Sequence, residues 1–234
     1  AYKLGPLVPS ELVMDALELA ADARAVDMCA SPYDLRRYGF EPIAIETPAG
    51  RAEYVRAQQR IAERAAAEGW ATAEALDAYC SHEDRPLDAI IDVSNIHGWL
   101  SNSIADVEHR LAALVTELLF GHPERLSVLE EVAYEEGKKQ AAPADAEAGE
   151  LFQYLTTHLV DGMPCDGVNM MRDQTAETFR WDKTADVHSH YWTEVEGSPA
   201  VYQALRGKFI EGLLSSTDYA ISTDDGTSFI LQKN

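Results

Sequence analysis

The strongest constraint on how this chain can fold is an apolar stripe near its middle. Ile104, Val107, Leu111, Leu114 and Leu118 follow one another in steps of three and four, and Val115 stands four after Leu111. That spacing lines one face of an α-helix. A face so apolar has to be covered by other helices or by a sheet, so it fixes the class of fold before any other residue is read. Ser103 opens the segment as an N-cap, and Gly121-His122-Pro123 closes it.

The surrounding punctuation repeats the pattern. Ser10 precedes an amphipathic stretch through Leu12, Val13 and Leu17, and Ser31-Pro32 caps a short helix that Gly39 ends. Pro42 to Glu46 reads as extended. Thr47-Pro48 opens a long helix over residues 49–68, stopped by Gly69, and Thr72 caps a shorter one reaching toward Cys80. Pro123 starts a helix running to about Glu136. Residues 137–149, rich in Ala, Lys, Asp and Glu, read as a mobile surface loop, and the helix after them carries Leu151, Tyr154, Leu155 and His158. Residues 162–185 read as irregular, with Gly162, Pro164 and Gly167. Ser198-Pro199 opens the last helix, to about Leu214. Asp218–Ser222 and Thr227–Gln232 flank Asp224-Asp225-Gly226, the signature of a β-hairpin.

The expected fold is therefore mainly α, an irregular helical bundle with a C-terminal β-hairpin. The polar run Ser81–Pro86 divides it into a helical segment, 1–80, and a second one, 81–234, or joins them in one continuous domain.

Composition narrows the function. Forty acidic residues against 19 basic ones give a formal net charge of -21, which opposes duplex DNA and anionic membranes. No run approaches the ~20 apolar residues a membrane helix needs. Cys29, Cys80 and Cys165 have no pairing pattern, which points to a reducing, cytoplasmic setting.

A resemblance enters over the first third. Tyr2-Lys3-Leu4, Pro6-Leu7-Val8-Pro9-Ser10-Glu11-Leu12, Asp27-Met28 and Ala30-Ser31-Pro32-Tyr33-Asp34-Leu35 look like part of a group of actinobacterial proteins. So do Glu41-Pro42-Ile43, Ile45-Glu46-Thr47-Pro48, Gly50-Arg51-Ala52-Glu53-Tyr54-Val55 and Ala62-Glu63-Arg64-Ala65-Ala66. Residues 1–68 resemble the C-terminal segment of proteins labelled 3-methyladenine DNA glycosylase. The resemblance implies base-excision chemistry with DNA as partner and brings no catalytic residue to this segment. A glycosylase needs a basic face, for which Arg51, Arg56, Arg60 and Arg64 are the candidates.

The residues themselves offer other chemistry. Asp186, His188 and His190 form Asp-x-His-x-His, which on an extended strand would point one way. Asp106 and His109, and His158 and Asp161, stand three apart on helices. Helical proteins use such imidazoles and carboxylates to hold iron or manganese, and closely spaced histidines also suit zinc. Asp186, His188, His190, His158 and His109 are thus the candidate metal ligands, with Glu131 and Glu135 as further donors. Cys165, in the Gly/Pro-punctuated loop after Asp161, is a candidate nucleophile, and Asp161 a candidate acid or base. Three readings follow: a relative of the DNA glycosylases, a metal-dependent enzyme acting on a small molecule, and a non-catalytic acidic assembly subunit that joins copies of itself or a partner.

Overall fold

The computed structural model describes residues 48–80, 89–161 and 166–234. The expected helices after Ser10 and Ser31, the extended piece at Pro42, the boundary at Ser81–Pro86 and Cys165 lie outside the described residues. The described chain is mainly helical and carries an antiparallel sheet at its C-terminal end.

Helix α1, Pro48–Ala67, and the short α2, Ala73–Asp77, follow their sequence signals closely. Gly69 turns the chain between them at φ +71°, and the Thr72 side chain caps α2 by accepting from the Ala75 amide. Helix α3, Ile96–Leu119, starts seven residues before the expected Ser103, because the Asn95 side chain accepts from the Gly98 amide and provides an earlier cap. A 3₁₀ turn at Pro123–Arg125 leads into α4, Leu126–Lys139, and α5 spans Ala148–His158. The stretch 137–149 is loop only over 140–147, between the end of α4 and the start of α5. Gly137, Ala142 and Ala148 are buried, the first inside α4 and the last opening α5.

Residues 162–185 also depart from expectation. Strands β1, Asn169–Gln174, and β2, Thr178–Lys183, pair antiparallel there. Helix α6, Ser189–Glu194, and α7, Pro199–Leu213, come next, followed by the expected hairpin, β3, Tyr219–Thr223, and β4, Ser228–Lys233. Gly226, at φ +73°, makes the turn. The hairpin is half of one four-stranded sheet in the order β1-β2-β4-β3. Phe179 and Trp181 alternate inward on β2, where Phe179 pairs across from Leu231 and Trp181 from Phe229. Phe152 of α5 stacks on Phe179 with ring centroids 4.0 Å apart.

Two apolar clusters result. Ile61, Leu76, Leu114, Leu118, Leu129 and Trp192 join α1, α2, α3, α4 and α6. Leu151, Leu155, Phe179, Trp181 and Leu231 join α5 to the sheet. Helix α7 belongs to both, through Tyr202 and Leu205 at one end and Leu213 at the other.

Its seat is set by two glycines. A Cβ on Gly137 would run into the Phe209 carbonyl oxygen, and one on Gly212 into the carbonyl oxygen of Tyr134. Helices α4 and α7 therefore touch backbone to backbone. Gly207, on the same helix, has open space around the position of a Cβ. Opposite outcomes are expected from the same substitution. Gly137→Ala should destabilise the fold by about 1–3 kcal/mol through overpacking. Gly207→Ala should stabilise it by roughly 0.5–1 kcal/mol. Urea unfolding of the two variants measures both.

Candidate functional site

Six pieces of backbone bring polar side chains to one buried point. Glu108 stands in the middle of α3, and His188 at the N-terminus of α6. Asp161 follows α5, while Tyr202 and Arg206 lie one turn apart on α7. Lys183 ends β2, and Asn169 starts β1. His188 is only 2% exposed and Glu108 6%.

The His188 ring lies between two carboxylates. Its Nδ1 is 3.1 Å from Glu108 Oε1, and its Nε2 is 3.3 Å from Asp161 Oδ1 and 3.2 Å from the Tyr202 hydroxyl. Asp161 in turn accepts from Arg206 Nη2 at 2.9 Å, Lys183 Nζ at 3.2 Å and Asn169 Nδ2 at 2.9 Å. Arg206 also donates to the Tyr202 hydroxyl.

The protonation states follow from these contacts. Burial opposes the Asp161 charge, but Arg206, His188 and Lys183 outweigh it and hold the carboxyl far below its ordinary range. Burial pushes the His188 imidazolium down, and the hydrogen bonds to Asp161 and Glu108 more than reverse it, so its pKa is raised. Lys183 is lowered, chiefly by burial and by the charge of Arg206. Burial drives the Tyr202 hydroxyl upward, so it stays protonated.

A cavity of about 270 Å³ opens beside this cluster, lined by Glu108, His188, Asp166, Asp186, His190 and Tyr191, with Ile104, Val160 and Val187 as apolar wall. Glu108 Oε2 is buried and has no hydrogen-bond partner among the described residues.

The five expected metal ligands do not assemble. Asp186, His188 and His190 border the same cavity, but the run is not extended. Asp186 Oδ1 accepts from the amides of His188 and Ser189, which turns the chain into α6 and removes the one-sided alternation. Burial opposes the Asp186 charge, yet these bonds and that from the Ser189 hydroxyl hold its pKa at about 2. Both His188 ring nitrogens already face carboxylates. His190 lies against the Tyr191 ring, 3.7 Å between centroids. His109 pairs with Glu194, and His158 is held by the Tyr154 carbonyl and Thr157 hydroxyl. Among the described residues no group of three or more His, Cys, Asp and Glu could hold a metal ion. Glu131 faces Arg64, and Glu135 faces Lys138.

Of the expected catalytic pair, Asp161 is at the centre of the cluster, but as an ion-paired anchor. Glu108, Tyr202, Lys183 and Arg206 carry the site and were not singled out from the sequence. A signal existed for one of them: Glu108 sits inside the apolar stripe, four residues after Ile104. The described arginines of the basic stripe are engaged with acids, Arg60 with Glu63 and Glu136, and Arg64 with Glu68 and Glu131. Among the described residues, no helix is long and apolar enough to cross a membrane. Compared with known proteins, the chain matches no protein-family model, no curated protein and no solved structure.

The cluster sets how stability varies with pH. The His188 pKa is raised above 6.5 on folding, so its contribution is complete below that value and is lost as pH climbs through the raised one. The depressed Asp161 contributes above 3.8 and is lost only as pH falls. Unfolding midpoints should therefore decline above neutral pH in the wild type, and His188→Gln should flatten that decline. Asp161→Asn, which leaves Arg206 buried without its counter-charge, should cost about 3–5 kcal/mol. Denaturant titrations from acid to alkaline pH measure all three effects.

Proposed function

We propose that this chain is an enzyme that moves a proton on a small organic molecule bound beside Glu108. The observation that supports this most directly is a carboxylate–imidazole–carboxylate line, Glu108–His188–Asp161, whose outer end borders a cavity. Buried, mutually oriented acids and bases next to a pocket are the arrangement that proton transfer needs.

The roles follow from the contacts. The Glu108 carboxylate, which borders the cavity, accepts a proton from the bound molecule and later returns it. His188, bonded to Oε1, keeps the carboxylate in one orientation and balances its charge. Asp161 and the Tyr202 hydroxyl hold the far side of the ring, and Arg206 and Lys183 keep Asp161 ionised. No metal enters this scheme, because the nitrogen lone pairs that a metal would use are replaced by N–H bonds to carboxylates.

The glycosylase reading belongs to residues 1–68 and rests on the resemblance. It stands second here, since Arg60 and Arg64 are neutralised by neighbouring acids and lend no open basic face to DNA.

The test is a comparison of wild type with Glu108→Gln in a fractionated cell metabolite extract, followed by mass spectrometry. At least one small compound should be consumed by the wild type and slowed about 100-fold or more by the variant, the usual share of a general base. No change in any compound, or equal consumption by both proteins, would sink the reading.

A further inference from the structure

We propose that α6 is an acid-latched wall of the cavity: it stays against α3 while the rings of His109 and His188 are both protonated, and it loosens when they are not. The latch governs access to the cavity and does not depend on any proton transfer by Glu108.

The cavity lies between two walls. Ser101 and Ile104 belong to α3, and Val187, His190 and Tyr191 to the segment that leads into and forms α6. Two polar pairs hold these walls together, and they cross. Glu108 of α3 meets His188 at the N-terminus of α6, and the next residue of α3, His109, meets Glu194 at the last position of α6. Each wall supplies one carboxylate and one imidazole. Between the two pairs, Trp192 is buried in the apolar core and serves as a pivot. A helix of six residues cannot hold itself without such attachments.

Each imidazole faces oxygen acceptors from both of its nitrogens. His109 Nε2 is 2.5 Å from Glu194 Oε2, and its Nδ1 is 3.0 Å from the Ala105 carbonyl oxygen. His188 has Glu108 at Nδ1 and Asp161 at Nε2. With both nitrogens so engaged, neither ring is a metal ligand here. An imidazolium carries two N–H donors, a neutral imidazole one. Loss of a proton from His109 therefore sets a lone pair against an oxygen and ends one of its two bonds. At His188 the Tyr202 hydroxyl can turn to the bare Nε2, but the positive charge between two buried carboxylates is gone.

The other charged groups do not replace what is lost. Around His188 stand Asp186 on its own segment, and Arg206 and Lys183, both bonded to Asp161. Around His109 stand Asp106 on its own helix and Tyr191 of α6, edge-on with ring centroids 4.8 Å apart. The hydrogen bond to Glu194 raises the His109 pKa above its ordinary 6.5 and outweighs burial. Its attachment is thus complete below that value and is lost as pH climbs through the raised one, in the same direction as that of His188. The fold as a whole weakens with rising pH through His188, and the crossed pairs concentrate that weakening at α6.

The test is amide hydrogen exchange of the intact chain from about pH 6 to about pH 9, corrected for the intrinsic effect of pH, with ring protonation of the histidines followed by NMR. Protection of the α6 amides should fall about tenfold more than that of the α4 amides, the size of one unit of histidine linkage. His109→Gln should cut that excess about threefold, as suits an exposed pair. Its side chain is 43% exposed, so the variant should fold. Glu194→Gln, at the other end of the pair, should do the same. Protection that falls equally in α6 and α4 would mean that only the whole fold titrates, and would overturn the latch. So would a His109 ring already neutral at the acid end of the range, or an excess unchanged in both variants. None of these outcomes bears on proton transfer by Glu108, which the metabolite comparison tests separately.

Discussion

A carboxylate buried as deeply as that of Asp161 is tolerable only because positive groups from three directions reach it: Arg206 from α7, Lys183 from the end of β2 and His188 from the head of α6. Isolated, such a charge would be strongly unfavourable in a poorly polarisable interior. Its presence makes the positions of these elements interdependent. The sheet is fixed to α7, and α6 to both, through one oxygen-rich point. Apolar packing alone leaves these elements more freedom, since Leu and Phe contacts are not directional.

This point also explains what the sequence could and could not reveal. Helices with plain punctuation were legible. Thr72 and Gly69 frame α2 and α1, Pro199 opens α7, and Asp224-Asp225-Gly226 marks the last turn. Strand β1 was not, because Asn169-Met170-Met171-Arg172-Asp173-Gln174 has no inward–outward alternation. It is an edge strand, exposed over most of its length, and held by its pairing with β2. In the segment 137–149 composition marks the loop at 140–147 but not its ends, where Gly137 and Ala148 are closely packed parts of helices.

The site was legible only in part. His188, Asp186 and His190 border the cavity and Asp161 bonds His188, but a metal site from Asp186, His188 and His190 requires an extended backbone at 186–190. A local cap, Asp186 to the amides of His188 and Ser189, sets a helix there instead. The partners that decide the protonation of His188 come from 80 and 27 residues away in the chain, beyond the reach of any spacing rule. A lone acid in an apolar helical stripe, as at Glu108, is the clue that sequence reading can still use, because burial of such a residue requires a partner.

The glycines at the α4–α7 crossing have a consequence for how such a protein can change over generations. Tyr202 and Arg206 ride on α7, whose separation from α4 is set by main-chain atoms in contact at Gly137 and Gly212. The geometry around His188 is thereby insulated from drift in the leucines and tryptophans of the two cores. Side chains there can be exchanged for others of similar volume while the helix stays in place. Variation is closed off at the glycines themselves, two positions with no functional group, on which the placement of the polar cluster relies.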